Sequence, residues 1–349
     1  MLSNGITAII PVYNTDYIIF KNCIESVVKQ TYKEIELIII NDGSNYDNSL
    51  NYKCFIEELN DKRIKYIENI NYGVSYSRNL GIELSTKKYI TFIDSDDIVC
   101  KDFFMKTIDF LCENELDGVL AGVRKQYNNS VEDLTITSKE NYIFNKENMN
   151  LLINKVIAYE TKETIDINNC FFSGCVSKIF KTEIVKKLKF NEKLKLGEDV
   201  VFNIDYLNIC ERFGIIRDIG YIYIVRNNSA VTSFRKDLIS QSIILFNEIK
   251  KNISDENINY FYYRVLKQFN WIMYGMIFHK KSNLNTYEKY IKIKELFKMD
   301  IFYESFNEVD IGTLAIKPSY RLMYYLIRYR LFIMITLILG FNNYWRNKK

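Results

Sequence analysis

Three aspartates lie within four residues of one another, directly after an apolar run. Asp94, Asp96 and Asp97 follow residues 89–93, whose β-branched and aromatic side chains are typical of a buried strand. Carboxylates this close repel one another unless a cation or hydrogen-bond donors neutralise them. Their hard oxygen atoms suit Mg²⁺ or Mn²⁺, which commonly bridge carboxylates to a diphosphate. The spacing therefore indicates a metal-assisted diphosphate site, with a solvated acidic turn as the simpler alternative.

The elements before this cluster predict a parallel β-sheet. Apolar strands at 6–11, 37–40 and 64–67 alternate with helical patterns at 17–30, 49–59 and 74–84. This short-range alternation is typical of an α/β fold with a mostly parallel, Rossmann-like sheet and helices on both faces. The carboxyl ends of parallel strands meet at one edge, so segments 11–14, 42–44 and 94–97 are predicted to share a pocket.

The pattern becomes less regular after the aspartates. A helix at 101–112, a strand at 118–123, β-prone segments at 175–180 and 215–225, and helices at 182–188 and 200–209 are predicted, whereas residues 124–170 give no clear assignment. Beyond residue 235 the pattern is helical and rich in aromatic residues. The sequence thus predicts one domain over residues 1–235, followed by a helical region over residues 236–349.

Four sequence motifs occur in order within about 90 residues, and together they are specific. They are Ile9-Ile-Pro-Val-Tyr-Asn14, Ile39-Ile-Asn-Asp-Gly-Ser44, Gly73-Val-Ser-Tyr-Ser-Arg-Asn-Leu-Gly81 and Phe92-Ile-Asp-Ser-Asp-Asp97. This series resembles glycosyltransferase family 2, and Gly197-Glu-Asp199 resembles the later acidic motif of that family. The resemblance spans about residues 6–234. It implies a GT-A fold, a nucleotide-diphospho-sugar donor, Mn²⁺ or Mg²⁺, and inversion at the anomeric carbon.

The matched positions imply roles on the nucleoside side of the donor site. Pro11, Val12 and Tyr13 would line the nucleoside, and Asp42 would accept a hydrogen bond from the base. Arg78 would lie close to that base, since its planar fork suits carbonyl or phosphate oxygens. A turn-stabilising role for Asp42 and an ion pair for Arg78 are the alternatives. Residues 1–115 are accordingly predicted to be the nucleotide-binding half and residues 116–235 the acceptor half.

The resemblance also implies a set of residues around the diphosphate. Asp94 would contact the ribose or the metal, Ser95 would lie beside the donor, and Asp96 would bind the metal. Arg226 would pair with the diphosphate. Many relatives carry a histidine ligand just before this arginine, but Val225 occupies the position here. A third protein ligand is therefore in doubt, and waters or phosphate oxygens would complete the metal shell.

Glu198 and Asp199 are the predicted catalytic residues. The resemblance implies that Asp199 is the general base that deprotonates the acceptor hydroxyl, with Glu198 orienting the acceptor. Both acids also lie where a helix is predicted to begin, so helix capping is the alternative.

Composition limits the class of protein. The net charge of +4 is small, so a nucleic-acid partner is not expected. The seven cysteines are scattered without metal-binding pairs, which indicates reduced residues in a cytoplasmic protein. No signal peptide is expected at the amino terminus.

The segment 317–349 carries seven Lys or Arg residues and no acidic residue. It contains a mostly apolar run at 331–341, which is too short to cross a bilayer of about 30 Å. The combination predicts an amphipathic segment lying on an anionic membrane surface. A buried core helix with a basic flank is the alternative.

Together these features predict a glycosyltransferase, peripheral on the cytoplasmic face of the membrane. It would move a sugar from a UDP-sugar to a glycan acceptor, expected to be lipid-linked. A nucleotidyltransferase that makes nucleotide sugars is one alternative, but residues 6–17 lack the glycine and basic residues of its usual loop. A non-catalytic partner subunit is the other.

Overall fold

The protein divides into two compact units. The computed structural model describes residues 2–158, 167, 169–226, 234–314 and 318–346. The amino-terminal unit comprises Met1–Val156 and Thr164–Arg226, and the carboxyl-terminal unit comprises Ile157–Glu163 and Asn227–Lys349. The division of the first unit into nucleotide and acceptor halves stays a prediction.

The amino-terminal unit is built from alternating strands and helices. Its described strands are β1 (Ser3–Val12), β2 (Ile35–Asp42), β3 (Ile64–Asn69), β4 (Lys87–Phe92), β5 (Ile98–Val99), β6 (Gly118–Gln126), β7 (Val131–Leu134), β8 (Tyr142–Asn145), β9 (Lys178–Lys181) and β10 (Arg212–Ile224). Its helices are α1 (Tyr17–Val28), α2 (Tyr46–Leu59), α3 (Val74–Leu84), α4 (Phe103–Glu113), α5 (Met149–Ala158, whose last residues pass into the other unit), α6 (Thr182–Val185) and α7 (Glu198–Ile209).

The strands form one mixed sheet in the order β3-β2-β1-β4-β9-β6-β10-β5, with β7 on β6 and β8 on β10. The first four are parallel, as predicted. Strand β9 runs antiparallel between β4 and β6, and β7 and β8 also pair antiparallel. The predicted α/β fold class is confirmed. Strands β7 and β8 fall in the unassigned region because four-residue strands give too little periodicity to read.

The core lies between the sheet and its helices. Every residue of β2 is buried, as expected for a strand covered on both faces. Helix α1 buries Phe20, Cys23, Ile24 and Val27, which share one face at the 3.6-residue period. Asp16 caps this helix, since its Oδ1 accepts from the Ile18 amide at 2.9 Å.

The carboxyl-terminal unit is helical in its described part, as predicted. Its helices are α8 (Leu238–Lys251), α9 (Ile258–Ile272), α10 (Thr286–Phe297), α11 (Asp300–Glu308), α12 (Pro318–Arg328) and α13 (Phe332–Arg346), with a 3₁₀ turn at Asp255–Asn257 and a π-turn at Met273–Ile277. Aromatic pairs join these helices: Phe297 meets Phe332 at 5.4 Å and Phe306 meets Tyr324 at 6.2 Å between ring centroids. Among the described residues, none of the helices is both long and apolar enough to cross a membrane.

Candidate active site

A carboxylate loop, residues 94–97, leaves the sheet at the carboxyl end of β4. The side chains of Asp94 and Asp96 are partly exposed. Asp97 is instead buried, and its two oxygens accept from the Tyr221 hydroxyl at 2.8 Å and the Ile224 amide at 3.0 Å. Burial, together with the charges of Asp94 and Asp96, raises the pKa of Asp97 to about 8. Asp97 therefore ties the carboxylate loop to strand β10.

Arg78 joins the carboxylate loop to the acidic start of helix α7. Its side chain is 4% exposed. Nη2 donates to Asp94 Oδ1 at 3.2 Å, and Nη1 donates to Asp199 Oδ1 at 2.6 Å and Glu198 Oε1 at 3.1 Å. The guanidinium also lies 5.2 Å from the Phe190 ring centroid. Burial opposes its charge, but the carboxylates outweigh burial and raise the pKa of Arg78. Arg78 is thus a fixed cation that gathers three carboxylates.

The turn before α7 brings its two acids to the site. Gly197 has φ +81°, a left-handed conformation that favours glycine, and the helix begins at the next residue. Burial, and then the Asp199 carboxylate, raise the pKa of Glu198 to about 7 despite Arg78. Desolvation by the surrounding protein raises the pKa of Asp94, although its side chain is 39% exposed, and Arg78 offsets part of this rise. Arg78 therefore offsets only part of the effect that burial and the neighbouring carboxylates have on the pKa values of Glu198 and Asp94.

A buried lysine lies beneath this cluster. Lys178 on β9 donates to the main-chain oxygens of Phe172 at 3.0 Å and Phe171 at 3.5 Å, and also to that of Gly174. Burial lowers the pKa of its ammonium group to about 8. Asn203 of α7 donates to Gly174 O at 3.1 Å and to Asp199 O at 2.8 Å. The segment 171–175 is thus fastened to the helix that carries Asp199.

These supporting residues were missed by the sequence analysis. Tyr221 bonds to Asp97, 124 positions away, and Asn203 bonds to Gly174, 29 positions away, so local sequence carries no signal for either pair. The oxygens that Lys178 bonds lie four to seven positions away, but they belong to the main chain, so no residue type marks them.

Asp42 lies at the carboxyl end of β2, as predicted, and is buried. Its Oδ1 and Oδ2 accept from the amides of Tyr72 at 2.9 Å and Gly73 at 2.8 Å. These bonds fix the turn into α3, where Gly73 has φ +98°. They match the turn-stabilising alternative for Asp42. A carboxylate has further lone pairs for a base, and that role stays a prediction.

The other predicted donor-binding residues lie along the same edge of the sheet. Val12 is buried at the end of β1, Pro11 is half-buried, and Tyr13 is 54% exposed. Ser95 is buried, with its hydroxyl 2.7 Å from that of Thr15. Tyr13 is therefore the member of this group whose ring is most open to a ligand.

Arg226 lies against the carboxylate loop. Nη1 forms an ion pair with Asp96, and Nη2 donates to the Asp96 main-chain oxygen at 2.5 Å. The end of β10 is therefore held next to the residues predicted to bind metal and diphosphate. Residues 227–229, which follow Arg226, lie outside the described residues.

Two carboxylates of the site could hold a divalent cation. Asp94 and Asp96 offer hard carboxylate oxygens at a partly exposed edge, which suits Mg²⁺ or Mn²⁺ with water and diphosphate oxygens as further ligands. Within the described residues, no group of three or more His, Cys, Asp or Glu side chains is arranged to hold a metal. The two aspartates fit a metal shared with a substrate.

The sequence of residues 7–185 matches the family described as Glycosyl transferase family 2. The chain belongs to this family. The resemblance predicted from the sequence motifs is confirmed. Family membership favours glycosyl transfer over the nucleotidyltransferase alternative.

Two relatives of this family 2 member illustrate the match. Glycosyltransferase GlyA of Streptococcus pneumoniae is 31% identical over 229 residues, which cover 66% of this chain and 32% of GlyA. Minor teichoic acid biosynthesis protein GgaB of Bacillus subtilis is 25% identical over 277 residues, covering 76% of this chain and 29% of GgaB. The chain thus spans about a third of the length of these relatives.

Two solved structures share the fold of this family 2 member. TarS of S. aureus, in complex with UDP-GlcNAc, aligns with a TM-score of 0.53 at 18% identity, over 88% of this chain and 77% of that one. The mannosyltransferase PcManGT of Pyrobaculum calidifontis, in complex with GDP-Man and Mn²⁺, aligns with a TM-score of 0.54 at 11% identity, over 99% of this chain and 88% of that one. At these identities the likeness concerns the fold.

Proposed function

We propose that this glycosyltransferase moves a sugar from a UDP-sugar to an acceptor hydroxyl with inversion of the anomeric carbon. The observation that carries the proposal is the convergence of Asp94, Glu198 and Asp199 on the buried Arg78. Arg78 thereby connects Asp94, at the end of a strand on the proposed donor side, with Glu198 and Asp199, at the start of a helix on the proposed acceptor side. A UDP donor is also supported by the complex of TarS with UDP-GlcNAc.

Asp199 acts as the general base in the proposed reaction. Its carboxylate takes the proton of the acceptor hydroxyl, whose oxygen forms the new bond to the anomeric carbon. The bond from that carbon to the diphosphate breaks, and its electron pair leaves with the nucleotide. Arg78 donates to the Asp199 carboxylate and holds it at the amino end of α7, and Glu198 orients the acceptor.

Asp94 and Asp96 would hold Mg²⁺ or Mn²⁺ next to the diphosphate. The cation would neutralise the charge that develops on the leaving group. Arg226 already pairs with Asp96 and would turn to the diphosphate when the donor binds. The complex of PcManGT with Mn²⁺ supports a metal in this fold.

The donor and metal assignments are tested by calorimetry and a donor screen. UDP is titrated into the protein with Mn²⁺ and with EDTA, alongside the variant Asp96→Ala. We expect binding that needs the cation and that Asp96→Ala abolishes. Hydrolysis of UDP-, GDP- and dTDP-sugars is then compared. If UDP bound equally well in EDTA, the proposed role of the metal in donor binding would be wrong. If the enzyme selectively hydrolysed a GDP- or dTDP-sugar, that nucleotide and not UDP would be the donor nucleotide.

The acceptor is proposed to be a lipid-linked glycan at the cytoplasmic face of the membrane. The basic, apolar segment 317–349 supports this placement, and the teichoic acid relative GgaB supports a surface polymer as the product. The test is incorporation of radiolabelled sugar into lipid extracts of bacterial membranes incubated with the enzyme and the donor. Label that appears only in water-soluble glycans would contradict a lipid-linked acceptor.

A further inference from the structure

Helix α13 presents large apolar side chains on its outer face. Ile333 is 64% exposed and Leu337 is 62% exposed, and Met334 and Ile338 are exposed beside them. Residues on the opposite face of the helix are buried: Phe332, Ile335 and Leu339. The buried and exposed sets each recur at helical spacing, so the helix is apolar on both faces although only one face packs.

Helix α12 shows the same division. Leu322, Tyr325 and Tyr329 are exposed, and the last two rings stack at 6.2 Å. Its buried face includes Tyr324, which lies against Phe306 of α11. Packing therefore holds both helices in place, while their outer apolar faces remain open.

An outer face of this kind indicates a partner. Soluble proteins rarely expose contiguous apolar surface of several hundred Å² without a function. We call the exposed set the docking face: Leu322, Tyr325, Tyr329, Ile333, Met334, Leu337 and Ile338.

The charge around the docking face identifies the class of partner. Arg321, Arg328 and Arg330 are exposed on α12 and the following turn. Residues 317–349 contain no acidic side chain that could neutralise them. Arginine beside tyrosine and long aliphatic side chains matches the boundary of an anionic bilayer, where phosphate head groups lie above acyl chains.

We propose that the docking face inserts shallowly into an anionic lipid surface, with α12 and α13 lying in its plane. This inference rests on the membrane location in the proposed function and names the side chains that create it. The aliphatic side chains of α13 enter the acyl boundary, the tyrosines lie at the interface, and the arginines bind lipid phosphates.

Flotation of the full-length protein with vesicles tests this proposal. The vesicles are phosphatidylcholine alone or mixed with phosphatidylglycerol, at low and high salt. We expect binding to the mixed vesicles that high salt weakens but does not abolish, because apolar insertion is insensitive to screening. The double variant Ile333→Ser with Leu337→Ser, called the α13 variant, should have a vesicle affinity lowered about tenfold or more. Arg321→Gln combined with Arg330→Gln should remove the preference for phosphatidylglycerol.

The matched control removes two exposed apolar side chains elsewhere, Leu50→Ser with Tyr287→Ser, and should leave vesicle binding unchanged. Circular dichroism and thermal melting establish that each variant is folded. The proposal is overturned if the wild-type protein binds neither type of vesicle. It is also overturned if the control loses as much affinity as the α13 variant, or if light scattering shows a dimer that the α13 variant dissociates.

Donor hydrolysis in solution separates this proposal from the proposed function. The α13 variant should hydrolyse donor at the wild-type rate, because the substitutions lie outside the candidate site. If the protein bound vesicles but hydrolysed no donor, the lipid-binding role of the docking face would be supported and the proposed glycosyl transfer would be rejected. Loss of donor hydrolysis in the folded α13 variant would show that the face serves the active site and would overturn the lipid assignment.

Discussion

Asp199 is the side chain on which the proposed mechanism depends most. A base acts in the transition state, so Asp199→Asn should lower kcat by about 10²–10⁴-fold while UDP affinity stays near wild type. Transfer kinetics and UDP calorimetry measure the two effects. Asp218→Asn, at an exposed acid paired with Lys106, is the control and should change neither. Near-normal transfer by Asp199→Asn would mean that this acid caps α7 and that the base lies elsewhere.

Glu198 gives the site a pH dependence. Its pKa is raised to about 7, so the carboxyl is protonated below that pH and ionised above it. An acceptor hydroxyl bound through the ionised form would make kcat/KM rise as pH increases through about 7. Glu198→Gln should lower activity and remove this rise, which a pH–rate profile measures. If the rise persists unchanged in Glu198→Gln, the titrating group is another residue.

At the scale of elements, strand β9 fixes the segment beneath the site. Lys178 donates to three main-chain oxygens in residues 171–174, and methionine has no donor that could replace those bonds. Lys178→Met should therefore raise amide hydrogen exchange in residues 171–175 by about tenfold or more. Lys181→Met is the control, because this lysine lies on the same strand but is partly exposed and pairs with Asp117. Unchanged exchange in a folded Lys178→Met protein would show that the segment is held without Lys178.

Helix α13 allows a comparison at the scale of the carboxyl-terminal unit. Ile335 is fully buried, whereas Ile333, on the same helix, is 64% exposed. Ile335→Ala should destabilise this unit by about 2–5 kcal/mol, while Ile333→Ala should stay within about 0.5 kcal/mol. Hydrogen exchange of α10 and α13 at increasing denaturant gives both values. Equal effects would mean that α13 does not pack as described.

The same packing bears on the two alternatives for segment 317–349. Phe332 contacts Phe297 of α10, and Tyr324 contacts Phe306 of α11. The segment thus includes core helices, and its outer face is apolar as well. Removing everything after Asp310 should therefore expose the apolar faces of α10 and α11 and cause aggregation. For this reason point substitutions on the outer face are the sharper test of membrane binding.

The sequence by itself determined the parallel half of the sheet and the family. Three of the four strands there contain apolar runs, the third strand, β3, mixes apolar and polar residues, and amphipathic helices separate them, so local periodicity suffices to place them. The positions of the strand-end motifs can also be predicted, because each strand must pass into a short turn before the next helix. Asp42 and Asp94 lie where two of these strands end. Such features depend on neighbours along the chain, which the sequence shows directly.

Only the tertiary structure decided which side chains meet. Arg78 pairs with Glu198 and Asp199, which lie 120 and 121 positions away along the chain, and Asp97 pairs with Tyr221 at a separation of 124. Local periodicity carries no information about such pairs, because sheet order and helix packing set them. The same holds for α13: its sequence is apolar all round, and only its packing against α10 leaves Ile333 exposed and Ile335 buried.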